Sequence, residues 1–274
     1  MTTIPPERAP LSEPEPHQHR QIAESFGSDP ERYDRTRPRY PDAMVDRIVA
    51  ESPGRDVLDV GTGTGVAARQ FQAAGCRVLG VEPDARMAEF ARRSGLEVEV
   101  ATFEAWDPAG RAFDAVIAAQ AWHWIDPSAG AAKASQVLRP GGRLAVFWNA
   151  FQPPPEVAEA FSAVYRRVMP DSPLYRLGMA GPASYSALCT KAADAIQRTG
   201  AFGDPEQWQF GWDRPYTRDE WLDQLPTFGG HGQLSSANLQ KLLTGIGAAI
   251  DALGGSFTMR YTALVLTATR TGAA

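Results

Sequence analysis

Residues 56 to 65 read Asp-Val-Leu-Asp-Val-Gly-Thr-Gly-Thr-Gly, and this stretch decides the fold. Val57-Leu58-Asp59-Val60 has the composition of a buried strand, and it runs directly into Gly61, Gly63 and Gly65. Three alternating glycines after a strand give a turn whose backbone can lie flat against a ligand, because no Cβ stands in the way. A dinucleotide-binding turn spaces its glycines G-x-G-x-x-G. Here Val66 stands where that third glycine belongs, and the glycine falls one residue early.

Working outward, the chain alternates strands and helices. Ala43-Met44-Val45 and Ile48-Val49 have helical spacing and stop at Pro53-Gly54, just before the first strand. After the glycines, Val66, Ala67, Phe71 and Ala74 form a helical stripe ended by Gly75, and 77–81 reads as a second strand that ends at Glu82. Asp84 can cap a helix carrying Met87, Phe90 and Ala91; 96–100 follows as a third strand. The apolar run 113–119 suits a central strand buried on both faces, 127–138 a helix, and 143–148 a fifth strand. This order implies an α/β, Rossmann-like, mostly parallel sheet with helices on both faces and ligands beyond the carboxyl ends of the strands.

Beyond Phe151 the alternation breaks. Helices are expected at 156–168, 187–199, 217–225 and 235–253, with a Pro/Gly/Tyr-containing stretch at 170–185. These helical insertions read as a lid on the acceptor side, over 151–256. Residues 202–212 and 257–269 alternate as strands. Residues 1–24, with Pro5, Pro6, Pro10, Pro14 and Pro16 among charges, read as a disordered or loosely docked arm, and its His17 and His19 as part of a solvated tail rather than a metal site. The expected organisation is therefore one domain over 25–274, its 25–150 half holding a nucleotide-like ligand and 257–269 supplying the final strand.

Composition narrows the function classes. The 274 residues carry a net charge of -5 and no block of like charge, so neither nucleic acid nor an anionic membrane surface is an expected partner. Cys76 and Cys189 are the only cysteines, distant from each other and from any Cys/His cluster, so no metal or disulfide is expected. No run of about 18 apolar residues occurs, and the reading is cytoplasmic, as a monomer or homodimer acting on a small molecule.

Glu82 lies 21 residues after Gly61, at the end of the second strand, where a carboxylate can accept both ribose hydroxyls of an adenosine moiety. The displaced glycine favours S-adenosylmethionine over a nicotinamide cofactor. A nicotinamide-dependent oxidoreductase is the first alternative; no Tyr-x-x-x-Lys dyad supports it. A non-catalytic S-adenosylmethionine-binding protein is the second. A nucleic-acid methyltransferase would carry Asn-Pro-Pro-Tyr or Asp-Pro-Pro-Tyr after the fourth strand, where Gln120-Ala121-Trp122-His123 stands instead.

With these residues in view, the chain resembles the class I S-adenosylmethionine-dependent methyltransferases of the UbiE/type 11-like small-molecule group. The resemblance runs over about 25–149, through Tyr33-x-x-x-Arg37-Pro38-x-Tyr40-Pro41, the glycine turn, Val81-Glu82-Pro83-Asp84, Gln120-Ala121-Trp122-His123-Trp124 and Val137-Leu138-Arg139-Pro140-Gly141-Gly142. It implies a seven-stranded sheet with the last strand antiparallel. It also implies S-adenosyl-L-methionine as donor and S-adenosyl-L-homocysteine as product.

Carried over position by position, the resemblance sets Gly61, Thr62 and Gly63 against the methionyl and ribose portion, Glu82 on the ribose, and Pro83 and Met87 beside the adenine. Phe103 through its N–H, or Glu104 as an acceptor, would reach the adenine edge; the family often has Asp-Ala there, so Phe103-Glu104 is a variant. Arg37 could pair with the methionyl carboxylate and Tyr33 close over the sulfonium, or Arg35, Arg37 and Arg39 could be a charged solvated face. Gln120 belongs at the carboxyl edge of the sheet near the reactive methyl. Trp122, Trp124 and Trp148 are candidates for the acceptor pocket, with Tyr165, Tyr175, Met179 and Tyr185 on or near the lid. His123 is the candidate base or acceptor-orienting group, the alternative being a structural imidazole.

Overall fold

The computed structural model describes residues 26–170, 183, 185–231 and 234–272. The arm over 1–24 and the lid candidates Tyr175 and Met179 lie outside the described residues. In chain order the elements are α1 (Pro30–Thr36), α2 (Asp42–Ala50), β1 (Asp56–Val60), α3 (Val66–Ala73), β2 (Arg77–Glu82), α4 (Ala85–Arg93), β3 (Glu97–Val100) and β4 (Phe113–Ala119). Then come α5 (Pro127–Val137), β5 (Leu138–Gln152), α6 (Pro155–Val168), α7 (Ser186–Arg198), β6 (Glu206–Thr217), α8 (Arg218–Gln224), α9 (Ser236–Ala252) and β7 (Ser256–Thr269).

Seven strands form one sheet in the order β3-β2-β1-β4-β5-β7-β6. Strands β1 to β5 pair in parallel, and β7 lies antiparallel between β5 and β6. The sequence explains the layering through the two-residue period of a strand. Leu58, Val60, Val116, Ala118, Leu144 and Val146 face α5 and α7, while Val57, Ala115, Ile117, Ala145 and Phe147 face α2, α3 and α4. The central strands β1, β4 and β5 are thus apolar on both faces, as a sheet covered on both sides requires.

Two strands outrun their sequence reading. β5 begins at Leu138 and continues to Gln152, where 143–148 was expected. β6 covers Glu206–Thr217 instead of 202–212, passing through Pro215. Proline is tolerated there because β6 is an edge strand whose outer N–H groups have no ladder partner to lose. Phe202 makes only an isolated bridge with Arg270.

These extensions position the site. β4 makes its last pair at Ala119 with Phe147, so residues 148–152 of β5 pair with β7 alone, from Trp148↔Leu264 to Gln152↔Arg260. β7 and β6 remain paired out to Ser256 and Thr217. A three-stranded ribbon therefore rises past the carboxyl edge of the parallel sheet. Helices α6, α8 and α9 pack on it around Phe161, Tyr216, Trp221, Leu242, Ile246 and Phe257, a core separate from the two that sandwich the sheet. Of the expected lid helices, α7 is not part of this cap: Cys189, Ala192, Ala195 and Ile196 pack on the sheet beside α5.

Candidate active site

The floor of the site is the β1–α3 turn. Gly61, Gly63 and Gly65 have φ of 67°, 58° and 88°, a left-handed backbone that glycine adopts without strain. Two of them are also sterically required. A Cβ at Gly61 would lie 2.5 Å from Ala121 Cβ, and one at Gly65 would lie 2.0 Å from Leu96 Cδ1. Gly63 differs: a Cβ there would meet only Met87 Cε, at 3.8 Å, so the turn is open above it.

Glu82 is tied to that open turn. Its Oε2 accepts from the Gly63 N–H at 2.8 Å, and its Oε1 accepts from the Asp84 N–H at 2.9 Å. The carboxyl is 7% exposed, and burial pushes its pKa up to about 7 against the pull of those two backbone bonds. Beneath the turn, Asp59 is fully buried; its Oδ2 accepts from Thr62 Oγ1 at 2.7 Å, while Oδ1 has no partner. Burial raises its pKa to about 7, with the Thr62 bond opposing and the Glu82 charge adding to the shift. Asp59 was missed as a site residue. An acid inside an otherwise apolar buried strand was the available signal.

The wall beside the floor comes from the end of β4. Gln120 has φ of 57°, a left-handed conformation that costs a non-glycine residue about 1 kcal/mol or more. It is held there by its N–H to the Phe147 carbonyl at 2.9 Å and its Nε2 to the Asn149 carbonyl at 3.3 Å. The one-turn 3-10 helix Trp122–Trp124 follows. His123 Nδ1 accepts from Trp148 Nε1 at 3.2 Å, and burial pushes the imidazole pKa down to about 4.

The candidates for the acceptor pocket separate here. Trp122 and Trp148 are 2% and 1% exposed and sit in the core layer under α5 and α7, Trp148 because it continues the inward period of Leu144 and Val146 along β5. Trp124 is half-buried and its ring lies 6.3 Å from Phe26. The residues placed near the adenine also differ from one another. Met87 is buried against the turn and Pro83 is exposed. The Phe103 ring is buried 6.4 Å from Trp122, and Glu104 Oε1 accepts from the Asp126 N–H at 3.1 Å.

The roof is the segment 26–40, which the sequence reading left without a helix. Asp29 caps α1, accepting from the Arg32 N–H, with Pro30 at the first turn. Asp-Pro before a short polar run was the signal for it. Phe26 and Tyr33 rings are 6.0 Å apart, and the Arg37 guanidinium lies 4.5 Å over Tyr33 and 5.1 Å over Phe228. Trp124, Phe26, Tyr33, Arg37 and Phe228 thus form a continuous aromatic and cationic line from the His123 turn to the cap. Arg37 Nη2 donates to the Thr227 carbonyl, and its Nε has no partner. The strap is fastened on each side: Asp34 to Arg69 of α3, Arg35 to Asp223 of α8 at 2.8 Å, and Asn149 Nδ2 to the Arg39 carbonyl at 3.2 Å. Tyr40 is buried, its backbone paired reciprocally with the Gln70 amide at 3.0 and 2.8 Å.

Among the described residues no group of three His, Cys, Asp or Glu side chains is placed to hold a metal ion, and no helix is long and apolar enough to cross a membrane.

The strand order, the glycine turn at the end of β1 and the acid at the end of β2 define a Rossmann-like methyltransferase fold. Residues 58–146 match the family model described as a methyltransferase domain. An uncharacterized methyltransferase of Mycobacterium tuberculosis is 39% identical over 133 residues, 47% of this chain and 54% of its own. A demethylmenaquinone methyltransferase of Tropheryma whipplei is 29% identical over 154 residues, 54% of this chain and 63% of its own. The chain spans about half the length of the mycobacterial relative. A solved structure from Anaeromyxobacter dehalogenans, assigned as a type II methyltransferase, shares the fold with a TM-score of 0.62 at 23% identity, covering 86% of this chain and 99% of that one.

Proposed function

We propose that this protein is an S-adenosylmethionine-dependent methyltransferase that acts on a small-molecule acceptor. The observation that carries the reading is the junction of Gly63 and Glu82: a backbone turn open to a ligand, joined at 2.8 Å to a buried carboxylate at the carboxyl edge of the sheet. Each Glu82 oxygen already accepts one backbone N–H, and each keeps a lone pair for a ribose hydroxyl. Met87 beside Gly63 and the exposed Pro83 flank the place for an adenine, and Phe103 or Glu104 offers its polar edge a partner.

The donor would supply an electrophilic methyl on a sulfonium. The chain's own task is alignment and exclusion of water, and alignment alone can contribute several kcal/mol, on the order of 7 or more in well-oriented cases. Gln120, strained at the edge of β4, is assigned to the donor side of the reacting centre. Tyr33 and Arg37 on the strap would close over it, and Trp124 and His123 would face the acceptor. The small-molecule part of the reading is supported by the contact between strap and cap at Arg37 and Phe228 and by a net charge of -5 with no block of like charge in the sequence.

Titration with S-adenosyl-L-homocysteine tests the donor site directly. Wild-type protein is expected to bind it, and Glu82→Ala to bind it more than tenfold more weakly, because a buried charge-assisted contact is removed. Equal affinity in the two proteins would reject the ribose assignment. Transfer of a labelled methyl group to pooled metabolites then identifies the acceptor.

A further inference from the structure

Trp148 and His123 meet at the point where β5 leaves the parallel sheet, and the chemistry of the two rings fixes where the protons lie. Indole Nε1 is a donor only. Its 3.2 Å contact with His123 Nδ1 therefore leaves Nδ1 bare and puts the single proton of the neutral imidazole on Nε2. Neither ring is free to drift. Trp148 is 1% exposed and registered against Leu264 of β7. His123 sits in a turn closed by Trp124 N–H to the Ala121 carbonyl at 2.9 Å and Ile125 N–H to the Trp122 carbonyl at 3.2 Å. Its ring also packs against Trp124 at 4.7 Å, on the side that leads to the strap. Among the described residues His123 has no other hydrogen-bond partner, so Nε2–H is its remaining polar group.

We propose that Trp148 is a positioning residue that locks His123 in the Nε2–H tautomer, so that the imidazole donates a hydrogen bond to the acceptor and does not take its proton. The word acceptor rests on the methyltransferase reading; the tautomer lock does not. Burial, which disfavours the imidazolium, acts in the same direction. An imidazole held this way has no lone pair on its available nitrogen. The acceptor must therefore arrive already deprotonated, with one lone pair to accept this bond and another to attack, as an ionised carboxylate or a thiolate.

The test uses full-length protein labelled with 15N-histidine. Long-range proton–nitrogen correlation separates the two tautomers, and His123 is assigned among the four histidines by the signals that vanish in His123→Gln. Wild type is expected to show a protonated Nε2 and a bare Nδ1, and Trp148→Phe a mixture of both forms. A protonated Nδ1 in wild type, or an unchanged pattern in Trp148→Phe, overturns the proposal. If Trp148→Phe does not fold, the indole N–H signal of Trp148 decides instead: it must move in His123→Gln, and an unmoved signal overturns the lock. S-adenosyl-L-homocysteine titration of the same samples reports on the donor site separately, so failure of the methyltransferase reading is distinguishable from failure of the tautomer.

Discussion

Glu82 is the residue at which burial, hydrogen bonding and the proposed ligand recognition meet. Ribose hydroxyls donate, so the ionised carboxylate is the form that binds them. With the free-protein pKa near 7, part of the binding energy at lower pH goes to removing a proton. Affinity for S-adenosyl-L-homocysteine is therefore expected to fall about tenfold for each pH unit below 7 and to level off above it, measured by calorimetric titration between pH 5.5 and 8.5. A flat profile would mean that Glu82 does not hold the ribose. The glycines separate in a second experiment. Gly65→Ala forces a left-handed alanine and a Cβ into Leu96, and should cost stability of about 1–3 kcal/mol in denaturant unfolding. Gly63→Ala meets only Met87 Cε, at an ordinary contact distance; it should cost about 1–2 kcal/mol for the backbone alone while weakening donor binding. A fully stable Gly65→Ala protein would contradict the packing described here.

At the scale of elements, the strap is held by polar fastenings rather than by a large core. The Arg35–Asp223 pair is bidentate but partly exposed, with Arg32 adding a contact to the same carboxylate at 3.3 Å. Such a pair contributes below about 1 kcal/mol to global stability. Asp223→Ala is thus expected to leave the melting temperature nearly unchanged while speeding amide hydrogen exchange across Pro30–Thr36, since local opening depends on local fastenings. Protection unchanged in α1 would show that the aromatic line through Phe26, Tyr33 and Arg37 holds the strap alone. The elements of the sheet were legible in the sequence because strand and helix periods are local properties. Helix α1 was missed although Asp29-Pro30 announced it, since its seven residues carry no apolar stripe. The expectation for β6 stopped at Trp212, short of Pro215, and only the sheet order reveals that this strand is an edge on which proline is tolerated.

For the whole molecule, two buried acids make stability depend on pH in an unusual direction. Asp59 and Glu82 have folded values near 7, above ordinary values of 3.8 and 4.5. A raised carboxyl pKa contributes stability that is complete below the unfolded value and is lost as pH rises through the folded one. The ligand-free protein is therefore expected to lose this contribution between about pH 4 and 7, and Asp59→Asn to flatten the decline in melting temperature from pH 5.5 to 8. An identical slope in wild type and variant would remove Asp59 from the account. By itself, the sequence determined the parallel half of the sheet: the run of strands and helices, the glycine turn, Glu82 at its offset and Gln120 after the fourth strand all lie within short windows whose periods and spacings are read directly. The tertiary structure decided the other half. That Trp148 meets His123 across 25 residues, that Arg35 finds Asp223 across 188, and that β5, β7 and β6 run on past the sheet to build a cap are contacts between distant segments. No local pattern encodes such contacts, because they arise only when separate apolar faces are buried together.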